Sequence, residues 1–205
     1  AVMALPVGAR AAQADTMTVT GAITAHNACS LSLSNSGAIN YGIIAANTMS
    51  PGTTVLPDKL VQVSVACTGA TYFALMLVDM RQGQEQLTRR FDFARDRNGQ
   101  RIGFYQMTTI NSATVNGASG YVVAWSNSGM EASPGCCWTT RTEPWGTSDL
   151  NDLRGFNQGG NNLTPVTSAQ FDVRVQAFIE APNTSWTLDG AQPLDGLFIM
   201  DLYYL

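Results

Sequence analysis

Charge is what this 205-residue chain has least of. Asp, Glu, Lys and Arg make up 13% of it, about half the usual share. Lys59 is the single lysine, and the formal net charge is −4. That balance gives no footing for nucleic acid or an acidic membrane surface. Histidine is almost absent too: His26 stands alone. It excludes most His-based metal sites and leaves a catalytic triad one candidate base, at a position that reads as a solvent-facing turn just before Cys29. There is no C-x-x-C pair for zinc, and no G-x-S-x-G, H-E-x-x-H, P-loop or dinucleotide fingerprint. No apolar run approaches the roughly 18 residues of a membrane helix. Internal repeats, heptads and low-complexity tracts are missing as well. Nothing here asks for a metal or a cofactor, and the reading is of a protein that is not an enzyme.

The acidic pairs do not change this. Asp149/Asp152 and Asp92/Asp96 have the residue types for acid–base hydrolysis, but such residues are more often turn formers and caps. Asp96-Arg97-Asn98-Gly99 reads as a hairpin turn and lacks the downstream bidentate Glu of a calcium loop. Trp125, Trp138 and Trp145 have two readings: a sugar-stacking surface, or anchors that pack a loop.

What is present is apolar and small-polar. Hydrophobic residues are 45% of the chain, and Gly, Ser, Thr and Asn are abundant. This suits an exported, β-rich, self-associating protein. Cys29, Cys67, Cys136 and Cys137 are an even set, and four cysteines allow three pairings. The neighbours Cys136 and Cys137 cannot easily both reach distant partners, which favours Cys29–Cys67. The adjacent two then form a vicinal bridge or stay unpaired, in preference to a link to another subunit.

Along the chain, period two dominates. Strands are expected at Thr16–Thr24, Cys29–Leu33, Ile39–Ile44, Leu60–Cys67, Tyr72–Val78, Phe91–Ala94, Ile102–Thr108, Met107–Val115, Tyr121–Trp125 and Ala169–Ile179. Turns fall at Asn35-Ser36-Gly37, at Asp96–Gly99 and at Asn116-Gly117. Short helices are expected around Gln84–Thr88 and Ser148–Arg154. Residues 127–162, rich in Gly, Ser, Asn and Pro, read as a long surface loop with some local order. The last strand spans Leu197–Leu205. Phe198, Met200, Leu202 and Tyr204 share its inward face, and Asp201 marks the wetter one. This spacing points to an antiparallel β-sandwich.

The order of motifs resembles a known family. Gly21-Ala22-Ile23-Thr24-Ala25-His26-Asn27-Ala28-Cys29, then Tyr41-Gly42-Ile43, then a valine-rich strand ending in Cys67, resemble the N-terminal half of chaperone–usher pilus subunits. Leu202-Tyr203-Tyr204-Leu205 resembles their final strand. Leu56-Pro57-Asp58-Lys59, Ile102-Gly103-Phe104-Tyr105 and Leu194-Asp195-Gly196 look like fimbrial-like secreted proteins of Gram-negative bacteria. The likeness covers residues 18–80 and 165–205; the 127–162 stretch and its cysteine pair depart from it.

The resemblance implies an all-β, immunoglobulin-like, pilin-type sandwich that lacks a strand. A donor strand from another subunit completes it. The sandwich is expected over residues 18–205, with an insertion at about 127–162. Residues 1–17 form an N-terminal extension in which Met3, Leu5, Val7, Ala9 and Ala11 share a parity. They are a donor strand on one reading and a signal-peptide remnant on the other, because Ala9/Ala11 and Ala12/Ala14 are Ala-x-Ala endings. The implied partners are identical or related subunits, with a periplasmic chaperone and an outer-membrane usher during assembly. The chaperone would pair with the last strand and anchor the Leu205 carboxylate. The implied place is a cell-surface fimbrium reached through the periplasm. Two other function classes stand beside this one: a secreted or tip-located adhesin that binds glycan through Trp138 and Trp145, and a secreted hydrolase using paired carboxylates.

Overall fold

Valines alternate with polar residues through Leu60–Cys67, and this stretch becomes the spine of the molecule. The computed structural model describes residues 27–81, 89–126, 130–146, 152–181 and 190–205. Within them are β1 (Cys29–Leu33), β2 (Thr53–Val55), β3 (Lys59–Thr71), β4 (Phe73–Asp79), β5 (Phe91–Arg95), β6 (Arg101–Val115), β7 (Ala118–Trp125), β8 (Trp138–Thr139), β9 (Arg154–Asn157), β10 (Val166–Glu180) and β11 (Phe198–Tyr204). The protein is an all-β antiparallel sandwich. Its sheet runs β1-β3-β10-β6-β7-β9-β4-β11, with β2 on β10, β5 on β6 and β8 on β7. The path curls back on itself until its two ends nearly meet.

The core follows the parity of the strands. Val61, Val63 and Val65 of β3 and Phe171, Val173 and Val175 of the neighbouring β10 enter the same core, together with Phe73, Leu75 and Leu77 of β4. Turn chemistry sets the registers. Val115 pairs with Ala118, so Asn116-Gly117 is a two-residue hairpin. Both residues have positive φ, 52° and 77°, which Asn and Gly tolerate best. At the next hairpin Asp96 Oδ1 accepts the N–H groups of Asn98 and Gln100, each at 2.8 Å.

Four expectations need correction. Ile39–Ile44 is not a strand. Gly42 turns the backbone at φ +69° and gives its N–H to Asn40 Oδ1 at 2.7 Å, which removes the segment from a ladder. Ile39, Tyr41 and Ile44 still pack on the core. Ile102–Thr108 and Met107–Val115 are one strand, β6, shared along its length between β10, β5 and β7. The helix expected at Ser148–Arg154 fails at its last residue, since Arg154 opens β9; residues 147–151 lie outside the described residues, as do Gln84–Thr88, Thr16–Thr24 and His26.

The fourth correction is the largest. Where it is described, the 127–162 stretch is more than a surface loop with some local order. It supplies β8 and β9, and β9 lies between β7 and β4, where it links the two halves of the sheet. Trp125, Trp138, Leu153 and Leu163 build a second core there with Ala74 and Val123. Arg154, 1% exposed, pairs with buried Asp152 and sits 5.4 Å from the Trp145 ring centroid. Burial lowers the Arg154 pKa from its usual value, while the charge and hydrogen bond of Asp152 oppose that shift.

Candidate functional site

The two ends of the strand path are β1 and β11. Eight strands in the path make seven pairings, and all are antiparallel. An odd number of reversals leaves β1 and β11 running in opposite directions. Among the described residues β1 pairs only with β3, and β11 only with β4. The Tyr204 hydroxyl accepts the Cys29 N–H at 3.0 Å, so the start of β1 lies against the end of β11. Each strand thus presents an edge, a row of N–H and C=O groups suited to pairing.

Side chains from both edges cover the core only in part. On β11, Phe198, Met200 and Leu202 are half-buried against it, as the period-two reading expects, and Ile199, Asp201 and Tyr203 point out. Tyr204 departs from that reading: it is 50% exposed and acts through its hydroxyl. On β1, Cys29, Leu31 and Leu33 are half-buried against the same core, and beyond it Ile39, Tyr41 and Ile44 continue the row. Leu194 extends the β11 side. Beyond the strands, Ile39, Tyr41, Ile44 and Leu194 line a cleft of about 440 Å³ floored by Phe93, Ile102 and Ile179, which no residue of β1 or β11 lines. None of Leu31, Leu33, Ile39, Tyr41, Ile44 or Leu194 was singled out from sequence as a wall. The alternation in Cys29–Leu33 was the available signal, but it does not say which strand lies opposite.

Cys29 and Cys67 are bonded, closing a sequence separation of 38. They face each other directly in the β1–β3 register, so the bridge clamps an edge strand that has a single neighbour. Cys136 and Cys137 are bonded to each other and pack on the second core. Met3, Leu5, Val7, Ala9 and Ala11 lie outside the described residues.

Trp138 and Trp145 correct the glycan reading made from sequence. They are 1% and 0% exposed. Their indole N–H groups are used inside, Trp138 donating to the Ser133 carbonyl and Trp145 to the Asp152 carbonyl, each at 2.8 Å. A ring with no free face cannot stack on a sugar, so both are packing residues. The paired carboxylates are structural where described. Asp96 holds its turn, and Asp92 holds Arg95. Among the described residues no cluster of His, Cys, Asp and Glu has the number to hold a metal ion.

One buried carboxylate sits at the start of the β11 edge. Asp79 pairs with Phe198. Its carboxylate accepts the N–H groups of Arg81 and Asp92, both at 2.9 Å. Burial raises its pKa, the two N–H bonds and Arg95 oppose the rise, and the charge of Asp92 adds to it. A raised carboxyl pKa means that the folded state binds the proton more tightly than the unfolded chain. The favourable contribution is full below the ordinary value of 3.8 and is lost as pH rises through the raised value. Asp79→Asn is expected to flatten the dependence of the thermal midpoint between about pH 4 and neutrality, relative to the parent chain. Parallel curves for the two proteins would contradict this.

A family described as a protein of unknown function (DUF1120) has a sequence model that matches residues 17–111. That span takes in β1 to β5, most of β6 and the Cys29–Cys67 bridge, and it stops short of β11. No curated protein matches the chain.

Proposed function

We propose that this chain is a structural subunit of an extracellular pilus or fimbria, and that it polymerises by donor-strand exchange. The observation that carries the reading is the pair of strand ends, β1 and β11, which run in opposite directions with half-covered apolar side chains between them. A strand laid between them would be antiparallel to one and parallel to the other. It would satisfy both edges and cover Leu31, Leu33, Phe198, Met200 and Leu202, each square ångström of apolar cover contributing about 25 cal/mol.

Residues 1–17 of a neighbouring copy are the proposed donor. Met3, Leu5, Val7, Ala9 and Ala11 share one parity and would turn to the floor. Pro6 falls on the other parity, where it must occupy a position whose N–H is not needed in the ladder. During export a periplasmic chaperone would fill the groove first, and an outer-membrane usher would organise the exchange. The cell surface is the proposed destination, in keeping with the disulfide and the low charge. No active site is required, since the product is the polymer.

Deleting residues 1–13 is the test. The shortened chain is expected to fold and to remain without filaments under electron microscopy, while the full chain assembles. Normal filaments from the deletion would overturn the reading.

A further inference from the structure

The main-chain groups that β1 and β11 turn toward each other follow from their ladders. The Thr68 N–H donates to the Ala28 carbonyl at 3.0 Å, which makes Ala28 and Thr68 a hydrogen-bonded position. The next pair, Cys29 and Cys67, lies directly opposite and is a non-hydrogen-bonded one. The N–H groups of Cys29, Leu31 and Leu33 therefore point away from β3 and into the gap. On the other wall the Met80 N–H donates to the Leu197 carbonyl at 3.0 Å, and the Leu205 N–H to the Tyr72 carbonyl at 3.2 Å. With Phe198 opposite Asp79 and Tyr204 opposite Phe73, the main-chain groups of Phe198, Met200, Leu202 and Tyr204 face the same gap.

At one end a side chain crosses that gap. The Tyr204 hydroxyl accepts the Cys29 N–H at 3.0 Å, a bond between residues 175 apart in sequence. Its parity would have placed the ring against the core, yet Tyr204 is 50% exposed. The ring spans from one edge to the other, and the hydroxyl takes a donor that an incoming strand would need. A strand requires about 4.7–4.9 Å on each side, so the ring and a paired strand cannot share this end.

We propose that Tyr204 is a latch: its ring and hydroxyl close the Cys29 end of the groove, and a strand entering between β1 and β11 pairs with Cys29 only by displacing them. The inference rests on the donor-strand reading and assigns the residue that regulates that site. The latch replaces water on the Cys29 N–H in the empty groove. It is lost when the strand arrives, so it weakens strand binding by about fivefold, the scale of one net hydrogen bond.

The test uses the monomer fraction of the full chain, its Tyr204→Phe variant and a Tyr203→Phe control. Phe keeps the ring and removes only the acceptor, and Tyr203 points out of the groove. Hydrogen exchange of the Cys29 amide, read by NMR, should be about fivefold faster in Tyr204→Phe and unchanged in Tyr203→Phe. A labelled peptide of residues 1–17 should bind Tyr204→Phe about fivefold more tightly than the parent or the control. Cys29 exchange unchanged by Tyr204→Phe, or equal peptide affinity in all three proteins, would overturn the latch and leave the donor-strand reading standing. Peptide binding to none of the three, with Cys29 exchange still accelerated, would overturn the donor-strand reading and the latch's regulatory role with it.

Discussion

Replacing Cys29 and Cys67 together by alanine is expected to lower stability by about 4 kcal/mol. The bridge closes a loop with a sequence separation of 38, and the chain-entropy relation gives about that figure for such a loop. For a domain of this size each kcal/mol is worth about 2–4 °C, so the thermal midpoint should fall by about 8–16 °C. The effect should be concentrated on one wall of the groove. β1 is five residues long and has β3 as its hydrogen-bonded neighbour among the described residues. Without the bridge it is free to fray. Scanning calorimetry reads the stability, and amide exchange at residues 29–33 reads the fraying. A change below about 1 kcal/mol, with β1 still protected, would mean that β1 is held by packing alone.

Asp152→Ala should cost about 3–5 kcal/mol, the range for breaking a buried ion pair from one side. Asp152 has a loose ion pair with Arg89 at 3.9 Å and serves three closer groups. It pairs with Arg154, accepts the Gly146 N–H through its side chain, and accepts the Trp145 indole N–H through its carbonyl. The substitution keeps the last of these and removes the first two, together with the Arg89 pair. Among the described residues, Arg154 is then a buried cation facing the more distant aromatic ring of Trp145. The double variant Asp152→Ala/Arg154→Leu should regain a large part of the loss, because it removes the stranded charge. Denaturant unfolding of the four proteins of this cycle measures the coupling. Additive losses would show that the two side chains do not act as a pair.

These variants also show why the fold was only partly legible in the sequence. Strands with one buried face announce themselves: Val61, Val63 and Val65 alternate with polar residues, and so do Phe171, Val173 and Val175. β9 does not. It reads Arg154-Gly155-Phe156-Asn157, and every residue of it is buried. Phe156 belongs to the main core. Gly155 faces the second core, where an added Cβ would meet Leu163 at 2.6 Å. A strand covered on both faces has no wet side to mark its period. Here its cover includes an ion pair, so hydrophobicity gives no warning either. The surrounding Gly, Ser, Asn and Pro residues then disguise Trp138, Trp145 and Leu153 as decorations of a loop.

The groove was half legible for a related reason. The inward parity of Phe198, Met200 and Leu202 follows from local alternation. Leu31 and Leu33 alternate too, but their place opposite β11 is set by the whole strand order, which includes β9. Tyr204 fell on the inward parity and instead turns its hydroxyl to the Cys29 N–H. Local pattern assigns a face, whereas an edge depends on every strand between the two ends.

The claim that matters most is that β1 and β11 receive a strand from residues 1–17 of another copy. Hydrogen–deuterium exchange on the chain lacking residues 1–13, with and without a synthetic peptide of residues 1–17, tests it directly. The account predicts that the peptide binds and slows exchange of the amides in 29–33 and 198–204 together. Exchange unchanged in both strands, or slowed elsewhere in the molecule instead, would contradict it.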